Sequence, residues 1–338
     1  MKRVLITGIT GFVGSHMADY ILNKVPDVKI YGIKRWRSRE ENISHLLDNK
    51  QVTFLEADLT DRGSLSRAIK TAKPDAVYHF AAQSFPGASF KSPVMTLTTN
   101  IIGTTNLLEE IKIARDSGIC DPKIVSVSSS EVYGMAKEDE IPINETNPIR
   151  AANPYSISKV GHDLMSQYYH KAYGLNIVIT RMFSHEGSRR GKEFAVSSFA
   201  NQIAMIEKID KETEGLKKPH RISVGNLDSV RTYTHIEDAI KAYWLAYEKG
   251  KSGEAYNIGS DFTCTIGDVL EDLMQRSVLD REDFEVYVDS ERLRPTDITL
   301  QVPDWSKFRE DTGWNPVLQI GEINQDLLDY WREALNNG

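Results

Sequence analysis

Three glycines near the start of the chain lie between a strand pattern and a helix pattern, and they constrain the fold more than any other feature. Residues 4–7 are apolar, and residues 7–14 read TGITGFVG, which places Gly8, Gly11 and Gly14 at GxxGxxG spacing. Helical spacing follows over residues 14–22. Such a turn lets the backbone approach a pyrophosphate, which free N–H groups at a helix N-terminus bind. A strand-to-helix turn that binds no ligand is the alternative.

The alternation of strands and helices continues through the first half of the chain. Short apolar runs predict strands at residues 28–33, 53–55, 76–80 and 124–127, and helical spacing predicts helices around residues 65–69 and 106–111. Strands that alternate with helices form right-handed βαβ units and a parallel sheet. The sequence therefore predicts an α/β fold with a Rossmann-type, doubly wound parallel sheet.

The pattern changes after residue 183. Residues 184–193 are predicted to form a loop, residues 194–208 and 238–245 helices, and residues 211–220 an exposed, charged excursion. We expect a smaller, interleaved α/β lobe that binds the substrate. The predicted boundaries are residues 1–183, with returning segments near 225–260, for the dinucleotide-binding domain, and residues 184–224 and 261–338 for the lobe.

The charge balance argues against two classes of partner. The chain has 41 Lys and Arg against 48 Asp and Glu, a net charge of −7, whereas nucleic acids and anionic membranes bind basic surfaces. No apolar run approaches the roughly 18 residues of a membrane span, and the N-terminus does not read as a signal peptide. Cys120 and Cys264 form no metal or redox motif. We therefore expect a cytoplasmic protein without a metal site.

The end of the second predicted strand indicates which dinucleotide binds. An acidic residue there would bind the ribose 2′-hydroxyl of NAD, but this chain has Lys34, Arg35 and Arg37. Cations match the 2′-phosphate of NADP, so NADP is favoured over NAD, with a solvated charge run as the alternative. Asp58, after the third strand, is placed to accept from the adenine amino group. The spacing equally allows Asp58 or Thr60 to cap a helix.

Tyr155 and Lys159 form a YxxxK pair on a predicted helix. Residues at i and i+4 face the same side of a helix. The ammonium of Lys159 is therefore expected to lower the pKa of the Tyr155 phenol, which would make it a base near neutral pH.

A second polar cluster follows the fifth predicted strand. Residues 128–134 read SSSEVYG, and ligands bind at the carboxyl ends of strands in open parallel sheets. Ser129 or Ser130 would hydrogen-bond a reacting hydroxyl, and Glu131 adds an acid–base group that a simple alcohol dehydrogenase does not need. A serine-rich turn that caps the next segment is the alternative.

These residues resemble the extended short-chain dehydrogenase/reductase family over nearly the whole chain. The resemblance rests on the three glycines, Asp58, Ser129 and the Tyr155/Lys159 pair. Within that family the chain is most similar to GDP-mannose 4,6-dehydratases, through five stretches at residues 31–38 (YGIKRWRS), 81–84 (AAQS), 183–191 (FSHEGSRRG), 225–231 (GNLDSVR) and 293–297 (LRPTD).

The resemblance implies a sugar-nucleotide 4,6-dehydratase, a hydro-lyase with bound NADP. Its substrate would be GDP-mannose or a related GDP-hexose or GDP-heptose, and its product the GDP-4-keto-6-deoxy sugar. The resemblance also implies a homo-oligomer, a dimer or tetramer, in which the loop at residues 35–43 reaches a neighbouring subunit. A GDP-4-keto-6-deoxy-sugar reductase or a 4-epimerase of the same fold is the alternative, followed by a non-catalytic NADP-binding protein.

The residues and the resemblance together predict three sets of site residues. The catalytic set is Ser129, Ser130, Glu131, Tyr155 and Lys159. The cofactor set is Thr7, Gly8, Thr10, Gly11, Phe12, Val13, Gly14, Lys34, Arg35, Arg37, Asp58, Leu59, Ala81, Ala82, Tyr155, Lys159, His185 and Arg190. The substrate set is Ser84, Glu131, Ser184, Arg190, Lys192, Arg231 and Arg294.

Three departures from the family pattern leave the sugar open. Ser129 replaces a threonine and keeps its hydroxyl, and Ser184 replaces an asparagine that would contact the substrate. Thr232 and Tyr233 replace an Asp-Trp pair. A modified mannose such as a GDP-heptose is therefore kept beside GDP-mannose.

Overall fold

The structure is a computed structural model that describes residues 1–213 and 219–336. Its strands, in chain order, are β1 (Arg3–Thr7), β2 (Lys29–Lys34), β3 (Val52–Glu56), β4 (Ala76–His79), β5 (Lys123–Val127), β6 (Ile177–Met182), β7 (His185–Glu186), β8 (His220–Val224), β9 (Val230–Thr232), β10 (Thr234–His235), β11 (Ala255–Ile258), β12 (Thr263–Thr265), β13 (Phe284–Val288) and β14 (Leu300–Gln301). Its α-helices are α1 (Phe12–Lys24), α2 (Arg62–Ala72), α3 (Pro86–Lys91), α4 (Pro93–Leu97), α5 (Gly103–Asp116), α6 (Pro154–Tyr173), α7 (Ala195–Glu212), α8 (Ile236–Lys249), α9 (Ile266–Gln275), α10 (Ser306–Thr312) and α11 (Ile320–Asn336).

Seven of the described strands form one parallel sheet, which confirms the predicted fold class. Their order is β11–β6–β5–β4–β1–β2–β3, and every neighbouring pair is parallel. Each strand predicted from an apolar run overlaps an observed strand. Strands β6 and β11 were not predicted. The strand order reverses between β1 and β4, and ligands bind at the carboxyl ends of strands beside such a switch point.

Side chains of the central strands alternate between two apolar layers. In β1, Val4 and Ile6 pack on the side of α1 and α8, together with Ile21 and Ala239. Leu5 points to the opposite side, into a layer built with α2, α5 and α6. All five side chains are fully buried. The sheet is therefore covered on both faces, as parallel sheets generally are.

A further apolar core lies outside this sheet. It is built by α7, α9 and α11, with the parallel pair β8–β13 packed against them. Helix α7 extends beyond the predicted residues 194–208, and the centre of the predicted excursion, residues 214–218, lies outside the described residues. Of the helices in the described ranges, none is both long and apolar enough to cross a membrane.

A chain of buried hydrogen bonds runs from the end of β1, through α5, to α6. Its links are all 2.8 or 2.9 Å long. All its members are 1% exposed or less. In order they are Thr7, His79, Thr104, His162, Ser126 and Ser166.

The two ends of this chain determine where its protons lie. The backbone N–H of Ala81 donates to the Thr7 hydroxyl (3.1 Å), and the Ser166 hydroxyl donates to the carbonyl of His162 (2.9 Å). Each of the remaining hydroxyls then finds an acceptor only if it donates to the next member of the chain, in the direction from Thr7 to Ser166. Both imidazoles must therefore be neutral, with the proton on Nε2.

This arrangement predicts a pH dependence of stability. Burial lowers the pKa of His79 to about 3 and that of His162 well below its ordinary value, whereas an unfolded histidine titrates near 6.5. Between the folded and unfolded pKa values, the unfolded protein binds protons that the folded protein excludes. The stability that is fully present above pH 6.5 is therefore lost as the pH falls. From pH 7 to pH 5 we expect each histidine to lower the free energy of unfolding by about 2 kcal/mol.

Urea unfolding followed by circular dichroism at both pH values measures this loss. In a His162→Gln variant the loss between pH 7 and pH 5 should be smaller by about 2 kcal/mol, whatever the substitution costs at pH 7. An equal pH-dependent loss in both proteins would contradict the neutral, buried state of His162.

Candidate active site

A deep cleft opens where the carboxyl ends of the central strands face the outer apolar core. Its volume is about 1760 Å³, whereas a pocket for one small ligand typically has roughly 300–1,000 Å³. The glycine turn lines one side, and residues of the 225–231 and 291–301 segments line the other. The cleft therefore has room for two nucleotide-sized ligands.

The glycine turn forms a close backbone cradle. Gly8 has φ +74°, a conformation that L side chains rarely adopt, and a Cβ there would lie 2.8 Å from the backbone nitrogen of Ala81. A Cβ on Gly14 would collide with the carbonyl oxygen of Gly8. Gly11 is the N-cap of α1 and has no side chain that could bond the first N–H groups of the helix. The turn therefore fits a pyrophosphate at the start of α1.

Most of the predicted cofactor residues line the cleft. They are Gly8, Thr10, Gly11, Phe12, Val13, Gly14, Lys34, Arg35, Asp58, Leu59, Ala81, Ala82, Tyr155, Lys159, His185 and Arg190. Thr7 is fully buried behind them, where it belongs to the hydrogen-bond chain. Arg37 is not among the lining residues, because its guanidinium lies on the exposed ring of Trp36, 4.1 Å from the ring centre.

Asp58 does not cap a helix. Its carboxylate accepts from the backbone N–H (2.8 Å) and the hydroxyl (2.7 Å) of Thr60. The helix that follows, α2, is capped instead by Asp61, which accepts from the N–H of Gly63. The cap alternative for Asp58 and Thr60 is therefore wrong, and adenine binding by Asp58 stays a prediction.

Four of the predicted catalytic residues meet in the cleft. Tyr155 lies on the first turn of α6 and Lys159 one turn later, while Ser129 and Glu131 follow β5. The Ser129 hydroxyl accepts from the N–H of Glu131 (3.2 Å) and lies near enough to Tyr155 to lower the pKa of its phenol. The Lys159 ammonium donates to the carbonyl of Val127 (2.6 Å). The YxxxK pair and the serine–glutamate turn thus form one cluster.

Burial dominates the titration of the YxxxK pair. It raises the pKa of Tyr155 well above its ordinary value, and the charge of Glu131 adds to the rise. The nearby Ser129 hydroxyl and the positive charge of Arg190 lower the pKa of Tyr155. Burial also lowers the pKa of Lys159 to about 8. The expected lowering of the Tyr155 pKa by Lys159 is not seen: burial raises that pKa, and Lys159 is not among the groups that shift it.

Glu131 is held from several segments. Asn153, at the start of α6, donates from Nδ2 to Oε2 of Glu131 (2.9 Å). Burial raises the pKa of Glu131, and this hydrogen bond and the charges of Arg294 and Arg231 partly oppose the rise. A carboxyl with a raised pKa is suited to both take up and release a proton near neutral pH.

The hydroxyl of Ser130 is directed away from the cluster. It is buried and donates to Oε1 of Gln301 (3.0 Å), and the amide of Gln301 donates back to the carbonyl of Ser130 (3.3 Å). The two serines therefore differ: Ser129 faces Tyr155, whereas Ser130 anchors the turn to β14.

Arg190 lies between two aromatic rings. Its guanidinium is 3.6 Å from the ring centre of Phe194 and 5.1 Å from that of Phe12, and the carboxylate of Glu186 is 3.5 Å from its Nε. Buried atoms of five cleft residues have no hydrogen-bond partner among the described side chains and backbone: Ser128 Oγ, His185 Nε2, Glu186 Oε2, Arg190 Nε and the Tyr243 hydroxyl. Such atoms require an explanation, and polar groups of a bound ligand would satisfy them.

The predicted substrate residues divide between the cleft and the surface. The cleft is lined by Ser84, Glu131, Ser184, Arg190, Arg231 and Arg294. Lys192 is exposed and does not line it. The guanidinium of Arg231 is anchored by donating to the carbonyls of Val230 (2.9 Å) and Ile298.

Two asparagines near the cleft were not predicted from the sequence. Asn100 lies on a π-helical turn, Thr98–Ile102, where it bonds the backbone of Gln83 (2.8 and 2.9 Å) and the hydroxyl of Ser158 (2.8 Å). π-turns recur at functional sites but have no periodicity that a sequence shows. Asn153 did have a signal, because asparagine directly before a proline at a helix start is a strong N-cap pattern.

Comparison with known proteins gives consistent matches over almost the entire chain. A family model described as GDP-mannose 4,6 dehydratase matches residues 5–327. The chain is 30% identical to GDP-mannose 4,6-dehydratase of Yersinia enterocolitica, over 97% of this chain and 93% of that protein. It is 27% identical to GDP-6-deoxy-D-mannose reductase of Pseudomonas aeruginosa, over 99% of this chain and 98% of that protein.

Solved structures agree with this relationship. RMD from Pseudomonas aeruginosa, complexed with NADPH, matches with a TM-score of 0.79 at 25% identity, covering 99% of this chain and 100% of that chain. DesIV, a dTDP-glucose 4,6-dehydratase from Streptomyces venezuelae with NAD and TYD bound, matches with a TM-score of 0.82 at 26% identity, covering 99% and 98%. With the family model spanning residues 5–327, the chain belongs to the GDP-mannose 4,6-dehydratase family of extended short-chain dehydrogenases/reductases.

Proposed function

We propose that the protein is a GDP-sugar 4,6-dehydratase that converts GDP-mannose, or a related GDP-hexose or GDP-heptose, to the GDP-4-keto-6-deoxy sugar. The observation that carries this proposal is the position of Glu131, a carboxyl with a raised pKa in the same cleft as Tyr155 and Lys159. A 4-keto-sugar reductase, the second candidate because of the reductase relative, needs the Tyr155/Lys159 pair but no such acid–base carboxyl.

The proposed cofactor is NADP, with its pyrophosphate at the glycine turn. Lys34 and Arg35 line the cleft at the end of β2, where their positive charges would meet the 2′-phosphate. Because the related structures hold NADPH in one case and NAD in another, the choice rests on these two side chains. When bound, the cofactor would supply a nicotinamide ring as the hydride acceptor for C4 of the hexose and as the hydride donor for C6.

Tyr155 and Lys159 would perform the first proton transfer. Tyr155 takes the proton of the sugar 4-hydroxyl as hydride leaves C4, while Ser129 holds the reacting oxygens by hydrogen bonds. Lys159, with a pKa of about 8, is mostly protonated at neutral pH, so its charge favours the phenolate form of Tyr155. The resulting ketone at C4 acidifies the proton on C5.

Glu131 would then carry out the elimination. It takes the C5 proton and delivers it to the departing 6-hydroxyl, which leaves as water. Hydride returns to C6, and C5 regains one proton, which balances the proton that Tyr155 took at the start. The net change is the loss of one water, so no reductant is consumed.

The two parts of the chain would bind the two ligands. Residues 1–183, with the returning segments near 225–260, would hold NADP, and residues 184–224 and 261–338 the sugar nucleotide. Arg190, Arg231 and Arg294 line the cleft, and arginine matches a diphosphate because its planar fork donates two parallel hydrogen bonds.

Replacing Glu131 by glutamine tests the elimination. Glu131→Gln keeps the shape of the side chain but removes the group that takes the C5 proton and delivers it to the departing 6-hydroxyl. Dehydration should fall by about 10²-fold or more, with NADP affinity unchanged in a fluorescence titration. Mass spectrometry after incubation with GDP-mannose or GDP-mannoheptose, without added reductant, measures the loss of water.

Tyr155→Phe serves as the matched control. It should prevent the first oxidation, so no reduced cofactor forms, whereas Glu131→Gln should still form reduced cofactor slowly. Full water loss by Glu131→Gln would remove Glu131 from the mechanism.

The cofactor proposal is tested by comparing two arginines of the same loop. Arg35→Ala should weaken NADP roughly 10-fold or more, because a charge-assisted hydrogen bond to the 2′-phosphate is lost. It should change NAD binding little. Arg37→Ala should have a small effect on both, since Arg37 lies on Trp36. Isothermal titration measures the four affinities, and equal weakening of NADP and NAD by Arg35→Ala would assign Arg35 to packing.

We further propose a homo-oligomer, a dimer or tetramer. Large apolar side chains are exposed on the adjacent segments α4 to α6, including Val94 (74%), Ile102 (51%), Ile157 (50%), Leu164 (50%) and Tyr168 (51%). Exposed apolar surface of this extent is typical of an interface between proteins.

A charged substitution on that surface tests self-association. Leu164→Arg should shift the protein toward the monomer in size-exclusion chromatography with light scattering, because a cation would be buried in the interface. Val278→Arg is the matched control, since Val278 is also exposed (77%) but lies after α9. The same mass for both variants and wild type would place any interface elsewhere.

A further inference from the structure

We propose that Asn153 is a positioning residue that holds the Glu131 carboxylate from the start of α6, so that Glu131 and Tyr155 keep one fixed relation. This inference rests on the proposed role of Glu131. The side-chain amide of Asn153 is used at both ends. Its Oδ1 accepts from the backbone N–H of Ser156 (2.8 Å), and its Nδ2 donates to Oε2 of Glu131 (2.9 Å).

The orientation of this amide follows from chemistry. The backbone N–H of Ser156 is a donor, so the group facing it must be the carbonyl oxygen of Asn153, and the NH₂ group must face the carboxylate. The Ser156 hydroxyl also accepts from the backbone N–H of Asn153 (2.9 Å), which completes a capping box. Asn153 is only 6% exposed. Its side chain therefore has one arrangement that satisfies every partner.

Asparagine suits both roles, because its amide carries an acceptor and a separate donor group. Serine, threonine and aspartate cap helices about as well, but none of them has an N–H that could donate to Glu131. The helix start needs only an acceptor, so the donor group is left over for the carboxylate. Asn153 directly precedes Pro154 and Tyr155, so any movement of the helix start would move both acid–base groups together.

Charged groups also face Glu131, and they act on it through their charge, whereas Asn153 acts through a hydrogen bond. Arg231 from β9 and Arg294, in the segment before β14, contribute positive charge, whereas Asp297 contributes negative charge. Asn153 supplies a direct hydrogen bond to the carboxylate, which favours its ionised form. Loss of that donor should raise the pKa of Glu131 further.

Two substitutions at Asn153 separate the donor from the cap. Asn153→Ser keeps a capping oxygen and replaces the amide donor by a hydroxyl on a shorter side chain, and Asn153→Asp keeps the cap but places a second carboxylate against Glu131. We expect the pKa of Glu131 to rise by about one pH unit or more in Asn153→Asp, and by less in Asn153→Ser. The measurement is a ¹³C NMR titration of glutamate-labelled protein, with Glu131→Gln identifying the signal. The acid limb of the kcat profile for GDP-mannose should move in the same direction.

The control is an equivalent change in another helix cap. Asp61→Ser alters the N-cap of α2 and should change thermal stability without moving the Glu131 titration. If Glu131 titrates as in wild type in both Asn153 variants, the proposal is overturned and Asn153 is only a cap. If the titration shifts as expected while the wild-type protein removes no water from GDP-sugars, the Asn153–Glu131 link stands and the proposed function fails.

Discussion

The geometry of the cleft depends on the buried hydrogen-bond chain between Thr7 and Ser166. It joins three neighbouring strands to two helices through hydroxyl and imidazole groups alone. These groups are removed from water, so loss of one member leaves a buried partner unsatisfied, at a cost of about 1–3 kcal/mol. Thr7 opens the glycine turn and α6 carries Tyr155 and Lys159. The hydrogen-bond chain therefore sets the distance between the cofactor end of the cleft and the Tyr155/Lys159 pair.

A buried ion pair supports the same helix at a neighbouring residue. Arg181 on β6 donates to both carboxylate oxygens of Asp163 on α6 (2.9 and 3.0 Å) and to the hydroxyl of Tyr133 (2.9 Å). The two charged side chains are 5% and 0% exposed, so removing one would leave an unpaired buried charge, which costs about 3–5 kcal/mol. Tyr133 ends the short turn that contains Glu131. The serine–glutamate turn and the YxxxK helix are thus fastened to each other behind the cleft as well as within it.

Desolvation is the common cause of the unusual titration in this protein. It raises the pKa of Glu131 and lowers that of Lys159, which brings an acid and a base closer to neutral pH. The same effect keeps His79 uncharged. The net charge of −7 describes only the average surface, because the cations that face the cleft are few and local. An acidic protein can therefore present positive charge where two anionic ligands would lie.

Sequence patterns predicted what depends on residues close together in the chain. The glycine spacing predicted a turn whose positive φ at Gly8 is observed, apolar runs predicted the strands from β1 to β5, and the four-residue spacing of Tyr155 and Lys159 placed both on one helix face in the cleft. Only the tertiary structure decided which neighbouring side chains reach the cleft. Arg35 lines it while Arg37 lies on Trp36.

The tertiary structure also decided the partners of the two serines and of Glu131. Ser129 faces Tyr155, while Ser130 donates to Gln301, which lies 171 positions further along the chain. Asn153 reaches Glu131 across 22 positions of sequence. Periodicity and backbone requirements are local properties that the sequence by itself determined. The direction of a polar side chain is set by partners that only the folded chain brings within hydrogen-bond distance, and that was decided by the tertiary structure alone.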